Sequence, residues 1–231
     1  MRHRNMILIH MPDLIKKSKE GKTRVKTEEK IIIRQEIISG TINRLDQKNI
    51  LQQEIIVDLE GGEILHIWTI ENWIKVLDYD NYPYRTGLRL VFDKNVDLEL
   101  RSECKKFAKW MRSEYFFPIR VPVYFKNKEK LKCLDGDLAY GTCFLPDSYK
   151  NEPYIRIAVG DFPVIKEKWG AESALFSVFG VLAHELTHYF QWVNGLQLTQ
   201  SGKERQASAY SKFITEEYSE IWDNVHLGSK T

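Results

Sequence analysis

Residues 171–193 read AESALFSVFGVLAHELTHYFQWV, the most apolar long stretch with a clear helical character in this sequence. Its apolar residues occupy nearly the whole circumference of a helix, which is typical of a helix buried in the centre of a domain. Gly195 follows at a position that commonly ends a helix. Because His184, Glu185 and His188 lie in this apolar context, and buried polar groups are costly without partners, the sequence predicts a buried helix whose polar residues have a specific partner.

His184-Glu185-Leu186-Thr187-His188 has the spacing HExxH. The i, i+4 spacing puts both imidazoles on one helical face, where they can hold one metal ion. Glu185 lies about 100° round the helix from His184, so it can reach a water on the metal without being a ligand. Zinc lowers the pKa of such a water to ~7, and a carboxylate can take the proton as general base. The alternative is two core histidines whose hydrogen bonds are satisfied.

Two histidines do not complete a zinc site, so a third ligand is needed. Gln191 and Asn194 stand where the pattern HExxHxxGxxH requires glycine and histidine, which excludes the metzincins. Glu204 sits near the start of the next predicted helix and is the favoured third ligand. Three small residues would lie on its face of that helix and would allow close packing on the HExxH helix: Ala207, Ser208 and Ser211.

Other interpretations of this region stay open at this point. Glu204 could merely complete a capping box that begins at Ser201, because Ser and Glu at this spacing satisfy backbone amides at a helix start. The third ligand could instead be His226, Glu216 or Glu217, since spacing ranks ligands without proving them.

HELTH followed by Glu204-Arg205-Gln206-Ala207 resembles the HExxH…ExxA signature of the gluzincin metallopeptidases. The chain is most similar to the cytoplasmic ImmA/IrrE-type peptidases and the minigluzincins, over roughly residues 88–225. Ser208 stands where the ImmA/IrrE pattern usually has asparagine. The resemblance implies a zinc ion (Zn²⁺) held by His184, His188 and Glu204, Glu185 as general base, and hydrolysis of peptide bonds by an endopeptidase.

A zincin of this architecture is expected to bind its protein or peptide substrate as an added strand at a sheet edge, a mode known as β-augmentation. The candidate edge consists of Gly141, Thr142, Cys143, Phe144 and Leu145; the alternative is an ordinary hairpin strand. Tyr189 and Tyr210 are candidates for stabilising the transition state, and the alternative for both is a packing role.

The expected fold class is α+β and zincin-like: a small, mostly antiparallel sheet packed on the buried HExxH helix and on a following helix that bears Glu204. Residues 88–231 form the predicted metallopeptidase domain, and residues 1–87 a β-rich region of unknown role with strands over 31–38, 53–59 and 63–69. The alternative for residues 31–38 is a helix, because three polar residues interrupt the alternation there. The remaining predicted strands cover Leu88–Phe92 and residues 119–125, 141–145 and 154–159. The predicted helices cover residues 98–115, Ala171–Val193 and residues 203–223.

Composition excludes several other classes of protein. The 231 residues carry 34 Lys and Arg against 32 Asp and Glu, a net charge of +2; this balance makes a nucleic-acid partner unlikely, and the Lys-rich stretch 14–30 is interpreted as solvated surface. The three cysteines form no Cys-x-x-Cys motif, and no signal peptide is expected, which favours the cytoplasm. No apolar run is long enough to span a membrane.

Three hypotheses on function follow. The first is a zinc-dependent endopeptidase. The second is a non-catalytic regulatory or binding module that retains the zincin fold; an intact Glu185 favours the first, since a non-catalytic module has no chemical need for that carboxylate. The third and weakest is a nucleic-acid sensor that uses the Lys-rich residues 16–30.

Overall fold

The computed structural model describes residues 56–57, 64–65, 67–133 and 136–227. The predicted strand over 31–38 lies outside the described residues. Within the two following predicted strands, β1 (Ile56–Val57) and β2 (Ile64–Leu65) pair antiparallel. Residues 67–69 form a turn, so the prediction that this second strand extends to Thr69 is wrong. The rest of the predicted β-rich region up to Leu65 lies outside the described residues.

The described chain belongs to the α+β class. Five helices are present in it: α1 (Trp73–Val76), α2 (Leu98–Glu114), α3 (Phe162–Trp169), α4 (Ala171–Val193) and α5 (Gln200–Leu227). Six further strands follow β2: β3 (Leu88–Phe92), β4 (Val121–Lys126), β5 (Leu131–Lys132), β6 (Leu138–Ala139), β7 (Gly141–Phe144) and β8 (Tyr154–Ala158). None of these helices combines the length and the apolarity that crossing a membrane requires.

The principal sheet has four strands in the order β3-β4-β8-β7. β3 runs parallel to β4 and β4 parallel to β8, while β7 runs antiparallel to β8. The sheet is therefore mixed, and the expectation of a mostly antiparallel sheet is wrong. The reason is α2, which lies between β3 and β4 in the chain and forms the crossover that two parallel neighbours need.

One hydrophobic core joins the sheet to α2 and α4. The apolar stripe of α2 faces this core: Leu100, Cys104, Phe107, Ala108 and Met111 are all fully buried. Helix α4 packs against β7 and β8 and also against α3 and α5. It is thus a central helix, as its apolar circumference predicts.

Two residues that precede α1 contribute to the same core. Ile67 and Trp68 are buried. The Trp68 indole donates a hydrogen bond to Thr187 Oγ1 of α4 (3.1 Å), and the Ile67 amide donates to the hydroxyl of Tyr210 on α5 (3.0 Å). Residues on the N-terminal side of the predicted boundary at 87 therefore pack directly on the helices of the C-terminal part. The boundary itself stays a prediction.

Candidate metal centre

Helix α4 holds its polar motif deep in the protein. It begins after Gly170 (φ +89°) and ends before Gly195 (φ +64°), two positive φ angles that favour glycine. His184 is 4% exposed, Glu185 0% and His188 1%. Because packing on several sides surrounds this segment, the three side chains have little freedom to reorient.

Helix α5 brings Glu204 to the two histidines. Glu204 Oε2 lies 3.5 Å from His184 Nε2 and 4.0 Å from His188 Nε2. The three ligand atoms all lie within 4.8 Å of one another. Ligand atoms bound to one zinc ion at bond lengths of about 2.1 Å stand roughly 3.4 Å apart in a tetrahedral site. The observed group fits such a site after small side-chain movements.

The histidine atoms that face Glu204 are unsatisfied. His184 Nε2 and His188 Nε2 are buried and have no hydrogen-bond partner among the described residues, so these are not two core histidines with satisfied hydrogen bonds. Burial lowers the pKa of His184 to about 3. The pKa of His188 is also lowered to about 3, first by burial and then by His184. Both rings are neutral at pH 7, which is the form that ligates a metal.

Gln191 fixes which nitrogen of His188 carries the proton. The Gln191 amide nitrogen donates to the Lys203 carbonyl (3.0 Å) and to Gln206 Oε1 (2.9 Å). Its Oε1 is therefore left to accept a hydrogen bond, and it lies 2.8 Å from His188 Nδ1. His188 thus donates from Nδ1 and keeps the Nε2 lone pair for a ligand, the usual arrangement around a metal-binding histidine. This role of Gln191 was not predicted from the sequence, although its i, i+3 spacing from His188 was a signal for it.

Glu185 is enclosed without a hydrogen-bonding partner. Both of its carboxylate oxygens are buried and unsatisfied among the described residues. Burial, and secondarily Glu204, raises the pKa of Glu185 well above its ordinary value. A carboxyl held in this way keeps all of its hydrogen-bonding capacity for a molecule that enters the site.

β7 approaches Glu185 at a residue without a side chain. A Cβ atom added to Gly141 would lie 2.9 Å from Glu185 Cδ and 2.8 Å from Val181 Cγ1, closer than packed atoms allow. The glycine therefore lets the strand backbone lie directly against the carboxyl group. Cys143, two residues on, is also buried, and burial with Glu185 nearby raises the pKa of its thiol.

The predicted substrate edge coincides with β7, which forms one end of the sheet. Gly141, Thr142, Cys143 and Phe144 belong to this strand, and Leu145 follows it and is partly buried. The Thr142 hydroxyl accepts a hydrogen bond from Arg156 Nε (3.1 Å). Substrate binding at this edge stays a prediction.

The hydroxyls of the two tyrosines considered for transition-state stabilisation bond to backbone groups, and their catalytic role stays a prediction. The Tyr189 hydroxyl donates to the Ile119 carbonyl (2.7 Å) and accepts from the Ile119 amide (3.1 Å). The Tyr210 hydroxyl accepts from the Ile67 amide. Tyr189 follows His188 by one residue and so lies about 100° away round the helix, which turns its ring toward the core.

The start of α5 differs from the predicted capping box. The helix begins at Gln200, and Thr199 Oγ1 accepts from the Gly202 amide (3.1 Å), so Thr199 is the N-cap in place of Ser201. Glu204 lies beyond the capping positions, and its Oε1 accepts from Gln200 Nε2 (3.0 Å). The interpretation of Glu204 as a cap alone is therefore wrong.

Glu216 and Glu217, two of the other possible third ligands, do not belong to the group. Glu216 is exposed, and Glu217 Oε2 accepts a hydrogen bond from the Tyr115 hydroxyl (2.8 Å). Both lie at least three helical turns from Glu204, about 18 Å along the axis. The side chain of His226 lies outside the described residues.

Two of the three predicted small residues lie between α4 and α5. Ala207 is fully buried, and the Ser211 hydroxyl donates to the Gly180 carbonyl (2.7 Å). Ser208 is exposed, so its predicted place in this contact is wrong; it is one residue, about 100°, away from Ala207. The close contact at Gly180 and Ser211 supports the approach of Glu204 to the histidines.

Comparison with known proteins identifies no relative of this chain. The chain matches no protein-family model, and neither the curated proteins nor the solved structures provide a significant match. The resemblance to gluzincin peptidases therefore rests on the motif residues themselves, and membership of that family stays a prediction.

Proposed function

We propose that this protein is a zinc-dependent endopeptidase of the gluzincin type. One observation carries the proposal: two buried imidazole nitrogens without partners face Glu204 Oε2, next to the equally unpartnered carboxyl group of Glu185. His184, His188 and Glu204 would hold the zinc ion. Zinc bound there would act as a Lewis acid and supply a water with a pKa of about 7.

Glu185 is proposed to move the proton during hydrolysis. It lies on α4 between the two histidines and has both oxygens free of hydrogen bonds among the described residues. A carboxylate in this position can accept a proton from water and later return it to the leaving amine. The general base and the amine's proton donor are then the same residue.

The substrate is proposed to be an extended segment of a protein or peptide. β7 has β8 as its neighbour in the sheet and no strand on its other edge among the described residues, so an added strand would form its main-chain hydrogen bonds at that edge. Gly141 places that strand directly against Glu185. A peptide bond held along β7 would therefore run past the carboxyl group.

We also propose that the protein works in the cytoplasm. Cys104 and Cys143 are buried and carry free thiols, which agrees with a reducing compartment.

Zinc content and proteolysis test the proposed function together. The purified protein should contain about one zinc ion per chain by elemental analysis, and it should cleave a fluorescein-labelled casein. Glu185→Gln should retain the zinc and lose at least 100-fold of the cleavage rate, because it removes the general base but no ligand.

A protein that cleaves casein equally well without zinc would overturn the assignment. Zinc binding with no hydrolysis by the wild type would favour a non-catalytic regulatory module instead. An unchanged rate for Glu185→Gln would remove its catalytic role.

A further inference from the structure

β3 forms the end of the sheet opposite to β7, with β4 as its neighbour. The Gly87 carbonyl accepts from the Val121 amide (3.0 Å), and the Asp93 amide donates to the Phe125 carbonyl (3.0 Å). Backbone groups of successive residues point to opposite sides of a strand. The odd-numbered residues therefore face β4, and the even-numbered residues of β3 face away from the sheet.

These outward-facing groups leave part of the strand open. The Leu88 carbonyl is engaged by Arg112 Nη1 of α2 (3.0 Å). Leu90 and Phe92 face the same way and have no strand beside them among the described residues. An extended chain could pair with these two residues, since an open edge is a template for an added strand.

A cationic cleft lies along this open edge. It has a volume of about 310 Å³ between β3 and α2. Its lining has an apolar floor and three cations but no carboxylate: Leu88, Arg89, Leu90, Phe92, Lys105 and Arg112. An added strand would direct successive side chains to opposite faces of the sheet, toward Lys105 and Arg112 on the α2 side and toward Arg89 on the other.

The cations of the cleft lack anionic partners in the described part of the chain. Arg89, Lys105 and Arg112 make no ion pair there, whereas nearby Lys126 pairs with Asp93 (2.9 Å) and Lys106 with Glu103 (2.7 Å). Exposed like charges around a groove attract an oppositely charged partner and speed its association.

We propose that the β3 edge is a docking site for an acidic extended segment of a partner protein, which adds a fifth strand to the sheet. The open backbone groups of Leu90 and Phe92 supply main-chain hydrogen bonds, and Arg89, Lys105 and Arg112 select carboxylate side chains. A peptide fits this edge better than a nucleic acid does, because the Phe92 ring is already stacked on Phe125 (4.6 Å between ring centres) and has the Arg101 guanidinium over it (5.8 Å), so it is a poor platform for a base. The site is separate from the proposed catalytic group.

The test uses the full chain and a fluorescein-labelled peptide of ten residues. The peptide contains valines, and each valine is separated from the next by two glutamates. Fluorescence anisotropy should show binding that weakens as salt is raised from 50 to 500 mM, because salt screens exposed charges. Arg89→Glu and Lys105→Glu should each raise Kd about tenfold. Lys212→Glu, a reversal at an exposed lysine of α5, should leave Kd unchanged.

Two further probes test the mode of binding. N-methylation of alternate peptide amides should abolish binding, since it removes the main-chain donors of an added strand. Zinc chelation and Glu185→Gln should not alter Kd, which separates this site from the catalytic proposal. Absence of binding, or equal binding of a peptide with lysine in place of glutamate, would overturn the docking site. An equal rise of Kd in Lys212→Glu would also overturn it. So would a single-stranded oligonucleotide that binds the same cations more tightly than the peptide does.

Discussion

Helices α4 and α5 supply ligands to the same proposed zinc site, but their surroundings differ. Helix α4 packs against the sheet, α3 and α5, and its histidines are almost completely buried. Helix α5 is exposed along one side, and the side chain of Glu204 is 29% exposed. The histidines are therefore held by core packing, whereas Glu204 can adjust its position. We therefore expect substitution of a buried histidine to weaken zinc affinity more than substitution of Glu204.

The largest loss of zinc affinity is expected from His188→Ala. Structural zinc sites contribute about 10–16 kcal/mol, so the loss of one of three ligands should weaken zinc affinity roughly 1000-fold. Peptide cleavage should disappear with the metal. Competition with a chromophoric chelator measures the affinity, and retention of zinc at near wild-type affinity would show that the metal lies elsewhere.

Glu204→Gln is expected to have the next largest effect. It replaces a charged ligand by a neutral one on the adjustable helix and should weaken zinc affinity by a factor of roughly 10 to 100. Glu216→Gln is the matched control on the same helix and should bind zinc like the wild type. If the two variants were equally affected, or neither were, Glu204 would not be the third ligand.

Gln191→Ala should weaken zinc affinity moderately, because Gln191 connects α4 to α5. The Gln191 amide connects His188 to Lys203 and Gln206, so its loss frees the imidazole ring and should weaken zinc affinity about tenfold. Gln197→Ala, at an exposed position after α4, is the control. An affinity equal to that of the wild type would mean that core packing alone orients His188.

The smallest effect is expected at the contact between the helices. Ser211→Ala removes the hydrogen bond to the Gly180 carbonyl and should lower the free energy of unfolding by about 1 kcal/mol. Ser208→Ala, one residue from Ala207 and exposed, should change it by less than about 0.5 kcal/mol. Thermal or denaturant unfolding of the metal-free protein measures both, and a larger loss for Ser208→Ala would contradict the observed face of α5.

Part of this architecture was predictable because it depends on residues close in the chain. The bounds of α4 and of β3 agree with their periodicity and their flanking residues. The face shared by His184 and His188 follows from the helical repeat alone. The choice of Glu204 was one of several open alternatives, and the structure brings it, and not Glu216 or Glu217, to the histidines.

Other features depended on packing between distant segments. Periodicity describes which side of a strand is buried but not which strands become neighbours, so the parallel pairs of the sheet were missed. The same limit applies to Tyr189, whose hydroxyl finds its partner at Ile119, seventy residues away in the chain.

A buried helix that presents two histidines on one face, with Glu185 beside them, could be inferred from residues close in the chain, since a local repeat and an apolar context suffice for that. Three further contacts follow only from the folded protein: Glu204 meets the histidine nitrogens, Gln191 orients His188, and Gly141 lets β7 lie against Glu185. These contacts join separate elements, and their distances are set by how side chains pack between helices and sheet, which no local pattern encodes.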